Sequence, residues 1–195
     1  LDGLEEDRKA CKQKIYDFNQ LPPSRQSKEA PQMIKNIFGK TGENVWVEAP
    51  FHCDYGWNIE VGENFYSNYN LTILDVGKVT CGKNVQIAPN VSIYTAGHPV
   101  HPDSRNSGYE YGIPVTVGDN VWIGGNTVIL PGVTVGSNVV IGAGSVVSKD
   151  IPDNTIAAGN PCKVIREITD EDRIYYFKKQ KFDDEAWEEV KNKNK

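Results

Sequence analysis

The stretch Val117–Pro152 reads VGDNVW IGGNTV ILPGVT VGSNVV IGAGSV VSKDIP when it is cut every six residues. An aliphatic residue opens every unit, at Val117, Ile123, Ile129, Val135, Ile141 and Val147, and glycine takes the second place at Gly118, Gly124, Gly136 and Gly142. A period of six is neither the 3.6 of a helix nor the 2 of a single strand. It is what a chain produces when each short strand ends in a corner, with one inward aliphatic on each flat side. In the same phase the pattern runs back through CGKNVQ at Cys81 to Ile87 and Ile93, and a second phase covers WNIEVGENFYSNYNLTIL around Asn58, Asn64 and Asn70. The repeat therefore spans about 42–160 with two dislocations. Asn44, Asn64, Asn84, Asn90, Asn120, Asn126 and Asn138 each precede a bulky residue and predict corners with positive φ, which Gly permits and Asn tolerates. A β-sandwich would place its turns about every 8–12 residues, so the reading is an all-β core built as a parallel β-helix.

The flanks are built differently. Of 20 valines, 19 lie between Val45 and Val164, while both ends are rich in Lys, Glu, Asp and Gln. Residues 1–40 read as an N-terminal helical segment, with Ala10, Ile15 and Phe18 on one helix and Met33, Ile34, Ile37 and Phe38 on a second that stops at Gly39. Residues 41–166 are the β-helix, and 167–195 read as a helical tail in which Thr169 and Asp172 cap a helix through Ile174, Tyr175, Tyr176 and Phe177. A solenoid needs such polar-faced caps at its ends.

Composition removes several classes of function. With 21 Lys and Arg against 26 Asp and Glu, the net charge of −5 lacks the basic footprint of a nucleic-acid binder or of a protein bound to an anionic membrane. No apolar run reaches the roughly 18 residues of a membrane span, and the acidic, polar first residues do not resemble an export signal. A start at Leu1 predicts that residues precede it. Cys11, Cys53, Cys81 and Cys162 are scattered, which signals neither a disulfide framework nor a zinc site and suits a reducing cytoplasm.

The aliphatic cadence stops after Ile93 and resumes at Val115, leaving a projecting loop, 96–114, with His98 and His101 beside Pro99 and Pro102. Function concentrates where a rigid array gives way to a loop. By itself a loop histidine is a solvated side chain; His98 is singled out because it stands where a coil ends.

The segments NFYSNYNLTILD, IAPNVSIYTAGHPVH, VWIGG, PGVTVG, VIGAGSVVSKDIP and AAGNPCKVIREI, with the helical start KIYDFNQ and the end DRIYYFK, resemble those of the maltose and galactoside O-acetyltransferases. The resemblance implies a left-handed β-helix, a homotrimer with each site between two chains, acetyl-CoA as donor, no metal, and a sugar acceptor. It implies that His98 is the catalytic base and that Asn68 donates to the oxyanion. Chemically this fits: a sugar hydroxyl needs a base to take its proton, an imidazole with an ordinary pKa near 6.5 suits that task, and one oxyanion donor is worth about 2.7–4 kcal/mol. Asn68 also lies two residues off the corner cadence of Asn58, Asn64 and Asn70.

By the same resemblance, Asp54, Tyr66 and Asp75 face the acceptor, and carboxylates suit sugar hydroxyls, which donate to them. The acidic residue some relatives carry one place after Asp75 is Val76 here, and the serine of galactoside enzymes is Asp54, which leans towards a maltose or glucose acceptor. An aspartate that relatives carry upstream of the first helix would fall before Leu1. For the donor, the resemblance assigns Gly125, Ala143, Ser148, Lys149, Lys163 and Arg166, with small residues leaving room for the pantetheine arm and the three cations facing phosphates; Trp122 opens towards the same groove. The alternatives are another acceptor (a nucleotide-linked amino sugar or a xenobiotic alcohol), a zinc-dependent carbonic anhydrase using His52, His98 and His101, and a non-catalytic scaffold or ice-binding surface; the last needs a regular threonine ladder, which Thr116, Thr127 and Thr134 are not expected to form.

Overall fold

The computed structural model describes residues 3–193. Its centre is a parallel β-helix of about six turns whose chain visits three sheets in rotation. Sheet I holds Ile59–Val61, Val79–Cys81, Val115–Val117 and Thr134–Val135. Sheet II stacks Val45–Val47, Phe65–Ser67, Gln86–Ile87, Trp122–Ile123, Val140–Ile141 and Thr155–Ala158, and closes with the antiparallel strand Lys163–Glu167. Sheet III stacks Phe51–Cys53, Leu71–Leu74, Ser92–Tyr94, Val128–Ile129 and Val146–Val147.

Each flat side sends two residues inward, not the one expected from the hexapeptide. Val115 and Val117, Val121 and Ile123, Thr127 and Ile129, then Val133 and Val135 are all buried, because the strand alternates and the first residue of each flat side, two before the expected aliphatic, also turns in. Of the three threonines expected to form no ladder, Thr127 does lie inside the coil, making a hydrogen bond to the Gly124 carbonyl, but contrary to that expectation Thr116 and Thr134 are register partners and Thr80 continues them. The result is a single column of three on sheet I.

The two dislocations have a structural cause. Trp122 pairs with Val140, which is the 18-residue coil of three hexapeptides, but Val45 pairs with Phe65 and Tyr66 with Gln86, so the first coils take 20 residues. Both extra residues sit at the corner from sheet III to sheet I, in the segments that carry Asp54 and Asp75. Across the insertion the step lengthens again, from Gln86 to Trp122.

Two columns hold the corner between sheets I and II. Gly62, Gly82, Gly118 and Gly136 stack so closely that a Cβ at Gly118 would lie 2.7 Å from the Ser137 nitrogen. Beside them the side-chain amides of Asn64, Asn84, Asn120, Asn138 and Asn154 form a continuous hydrogen-bonded ladder at 2.8–2.9 Å. All five have φ between 56° and 59°, as do the expected Asn90 and Asn126 within a few degrees, whereas Asn44 does not enter the left-handed region; it bonds Glu63 instead.

Helices α1 (Leu4–Asn19) and α2 (Pro23–Ile37) cover the open first coil. The buried stripe of α1 is Cys11, Ile15 and Phe18; Ala10, placed on it by the sequence reading, is exposed, one residue out of phase. From α2, Ala30, Ile34 and Ile37 reach inward, and Phe38 meets Phe51 edge to face at 5.5 Å. At the other end the Thr169–Asp172 capping box forms as expected, but it starts only the short 3-10 turn Asp170–Ile174. The aromatic run expected to be helical is a strand, Tyr175–Phe177, hairpin-paired with Gln180–Lys181 through Lys178 at φ 50°, and the helix comes later, at Asp184–Lys193. Consecutive aromatics favour extended backbone, and Phe182 between the rings of Tyr176 and Trp187 fixes the hairpin on that later helix.

Candidate active site

The chemistry-bearing residues lie on two edges of the prism and on sheet II between corners. At the edge from sheet III to sheet I stand, coil after coil, Asp54, Asp75, the insertion with His98, and then Ser148 and Lys149. The edge from sheet II to sheet III carries Asn68, then Gly125, then Ala143 and Gly144, and Lys163 enters the closing strand beside Ala158. Tyr66 and Trp122 belong to one outward ladder on sheet II, Trp46–Tyr66–Gln86–Trp122–Val140–Ile156–Arg166.

The insertion is a two-stranded ribbon, Ala96–Gly97 against Tyr111–Gly112, with the short helix Pro102–Asn106 at its tip. Buried Thr95 roots it: the Thr95 hydroxyl donates to the Leu74 carbonyl and accepts the Gly77 N–H, and its carbonyl accepts the Ile113 N–H. The ribbon turns the half-exposed His98 ring so that Nδ1 lies 3.0 Å from the Tyr109 carbonyl. A carbonyl only accepts, so Nδ1 carries the proton and the Nε2 lone pair faces outward, with Glu110 Oε1 3.9 Å away. Neither Tyr109 nor Glu110 stands out in the sequence, because the contact is made by a backbone carbonyl across the ribbon. His101 instead caps the tip helix, accepting the Asp103 N–H.

Asn68 is oriented in a complementary way. Its Oδ1 accepts the Tyr69 N–H at 2.8 Å, which leaves the amide NH₂ as the end available to donate. The histidines do not converge: His52 is on the outer face of sheet III in the first coil, His98 on the insertion, and among the described residues no three metal-ligating side chains cluster.

Asp54 and Asp75 have different roles. The Asp75 side chain is fully buried and accepts N–H bonds from Asp54, Tyr55 and Gly56 at 2.7–3.0 Å, so it moulds the turn, a task the sequence reading, which gave it to the acceptor, does not show. Burial pushes its carboxyl above the ordinary value, while these three donors pull the other way. Asp54 on that turn pairs with Arg8 of α1 at 2.5 Å, a contact the sequence does not signal since the two are 46 residues apart.

Gly125 lies against the Pro89 carbonyl, where a Cβ would come within 3.1 Å, and Gly144 (φ 73°) has nothing within 4 Å of where a Cβ would stand. Lys149 and Lys163 are exposed, with no carboxylate in ion-pair range among the described residues. Arg166 is engaged within the chain: its guanidinium makes two bonds to Asp172, at 2.6 and 2.8 Å, and holds that carboxyl well below the usual range. The three cations thus do not form one cluster, since Lys149 is on a different edge from Lys163 and Arg166 is already paired.

Compared with known proteins, residues 114–149 match the family profile described as bacterial transferase hexapeptide (six repeats), and residues 2–42 match the maltose acetyltransferase hexapeptide capping motif. The chain is 54% identical to the galactoside O-acetyltransferase of Escherichia coli strain K12 over 92% of this chain and 88% of that one. Among solved structures it superposes on a galactoside acetyltransferase in complex with coenzyme A with TM-score 0.91, 53% identity and 94% and 91% coverage. A maltose O-acetyltransferase from Clostridium difficile 630 superposes with TM-score 0.85, 52% identity and 87% and 90% coverage.

Proposed function

The chain belongs to the hexapeptide-repeat maltose and galactoside O-acetyltransferase family, and from this we propose that it transfers acetyl from acetyl-CoA to a hydroxyl of a hexose-containing sugar, in a homotrimer whose sites lie between chains. The observation that carries the reading is the fixed tautomer of His98, whose outward Nε2 can accept a proton without any rearrangement of the ring. Acetyl-CoA supplies the activated acyl carbon. As the sugar oxygen attacks it, Nε2 of His98 takes the hydroxyl proton and the Asn68 amide donates to the oxygen on which negative charge builds. Asp54 holds acceptor hydroxyls beside Arg8, and Tyr66 offers its hydroxyl from sheet II. Gly125 and Ala143 make room for the donor's arm, Trp122 packs along it, and Ser148, Lys149 and Lys163 take its polar groups; Arg166 joins them only by leaving Asp172.

Support for a shared site comes from the two edges. Within one chain, sheet III separates the His98 edge from the Asn68 edge by roughly 10–15 Å at about 3.3 Å per strand residue, too far for both to touch one reacting carbonyl. A neighbouring prism that sets its Asn68 edge against this His98 edge closes the gap, and the exposed Trp122, Tyr109 and Ile113 give that contact apolar area. No helix among the described residues is long and apolar enough to cross a membrane, and four free thiols suit the cytoplasm.

The test is substitution at the two loop histidines. His98→Ala should keep its fold and its affinity for coenzyme A and lose on the order of 10²–10⁴ in turnover, while His101→Ala, which loses only a cap, should stay within a few-fold. Equal losses at both positions, or activity that follows added zinc, would overturn the assignment.

A further inference from the structure

Cys11 and Cys53 stand outside the proposed reaction, yet their sulfurs lie 3.7 Å apart across the joint between α1 and the first coil. Both are buried, at 4% and 8% exposure, and neither is bonded to another cysteine. A distance of 3.7 Å is sulfur–sulfur contact with a shared S–H hydrogen bond, against about 2.05 Å in a disulfide. We propose that Cys11 and Cys53 form a reversible disulfide under hydrogen peroxide, a clamp that ties the cap helix to the β-helix. The elements it would join are also those joined by the Arg8–Asp54 ion pair, one helical turn before Cys11 and one residue after Cys53.

The chemistry balances with peroxide as the oxidant. The Cys11 sulfur attacks one peroxide oxygen, the O–O bond breaks, and water leaves behind a sulfenic acid. The Cys53 sulfur then attacks the Cys11 sulfur, the S–O bond breaks, and a second water departs with the Cys53 proton. Two thiols are oxidised to one disulfide and one peroxide is reduced to two waters. Either sulfur can take the first step with the same balance, since either thiol can donate the shared hydrogen bond. Among the described residues Cys81 is buried in the core with no contact to another cysteine, and Cys162 lies at the far end of the coil, so each serves as an internal control.

The whole protein, reduced and then exposed to hydrogen peroxide, should lose two of its four free thiols and the mass of two hydrogens. Peptide mapping should find residues 11 and 53 linked, dithiothreitol should restore the thiols, and the melting temperature of the oxidised form should rise by several degrees, because the bond closes a long loop in the unfolded chain. Cys11→Ala and Cys53→Ser should each abolish the linked peptide and the shift. Four titratable thiols after oxidation, a linkage that includes Cys81 or Cys162, or the same melting shift in Cys11→Ala would overturn the proposal.

Discussion

Asp75 and Asp54 are two carboxylates that the sequence presents alike, and the structure gives them different work. Asp75 is surrounded by three backbone N–H groups, and Asp54 stands on the turn those groups build. Asp75→Asn puts an NH₂ where a carboxylate oxygen accepted, and leaving a buried donor unsatisfied costs about 1–3 kcal/mol. We therefore expect a lower melting temperature together with an acceptor KM raised about tenfold, roughly 1.4 kcal/mol, and an unchanged acetyl-CoA KM. A direct contact with sugar would leave the melting temperature where it was, so calorimetry and steady-state kinetics on one variant separate the two roles. At this scale the sequence offers the candidate residues but not the partners that hold them, since neither the Arg166–Asp172 pair nor the carbonyl of Tyr109 behind His98 is visible in local pattern.

Among elements, the corner column is the most demanding. Gly118 has its neighbour's backbone where a side chain would go, with the Ser137 nitrogen at 2.7 Å and the Gly136 carbonyl carbon at 2.8 Å from a Cβ. Gly118→Ala must push two coils apart, and overpacking of this kind costs about 1–3 kcal/mol. By contrast Gly108, on the insertion, has nothing within 4 Å of a Cβ, so Gly108→Ala meets only the strain of its φ of 83°. Denaturant melts should rank Gly118→Ala below Gly108→Ala; the reverse order would mean that the coils are not held at this corner. The insertion itself was legible as a break in cadence, whereas its two-stranded ribbon was not, because pairing of Ala96–Gly97 with Tyr111–Gly112 spans a loop without strand-like alternation.

For the whole molecule the proposed trimer makes a claim that no single chain can satisfy. If His98 of one chain works opposite Asn68 of the next, then His98→Ala and Asn68→Ala chains refolded together at equal amounts should regain activity that neither has alone. Random assembly gives about one site in four with both residues intact, so roughly a quarter of wild-type turnover is expected. Sedimentation should show about three times 21.7 kDa. No recovery on mixing, or an active monomer, would place both residues in one chain.

What the sequence determined by itself is the architecture: the hexapeptide period, the Asn and Gly corners, the apolar helix faces and the break at the insertion are local, repeated many times, and each copy supports the others. Even the dislocations were legible as phase slips, although only the structure places both at the corners that bear Asp54 and Asp75. Tertiary structure alone decided that the C-terminal aromatics pair as a hairpin, that Asp75 turns inward, that Arg166 is taken by Asp172, and that Cys11 meets Cys53. Periodicity records which side of an element faces the core, but these contacts join residues whose separation along the chain has no period, and their energies depend on the burial and hydrogen bonds that folding itself creates.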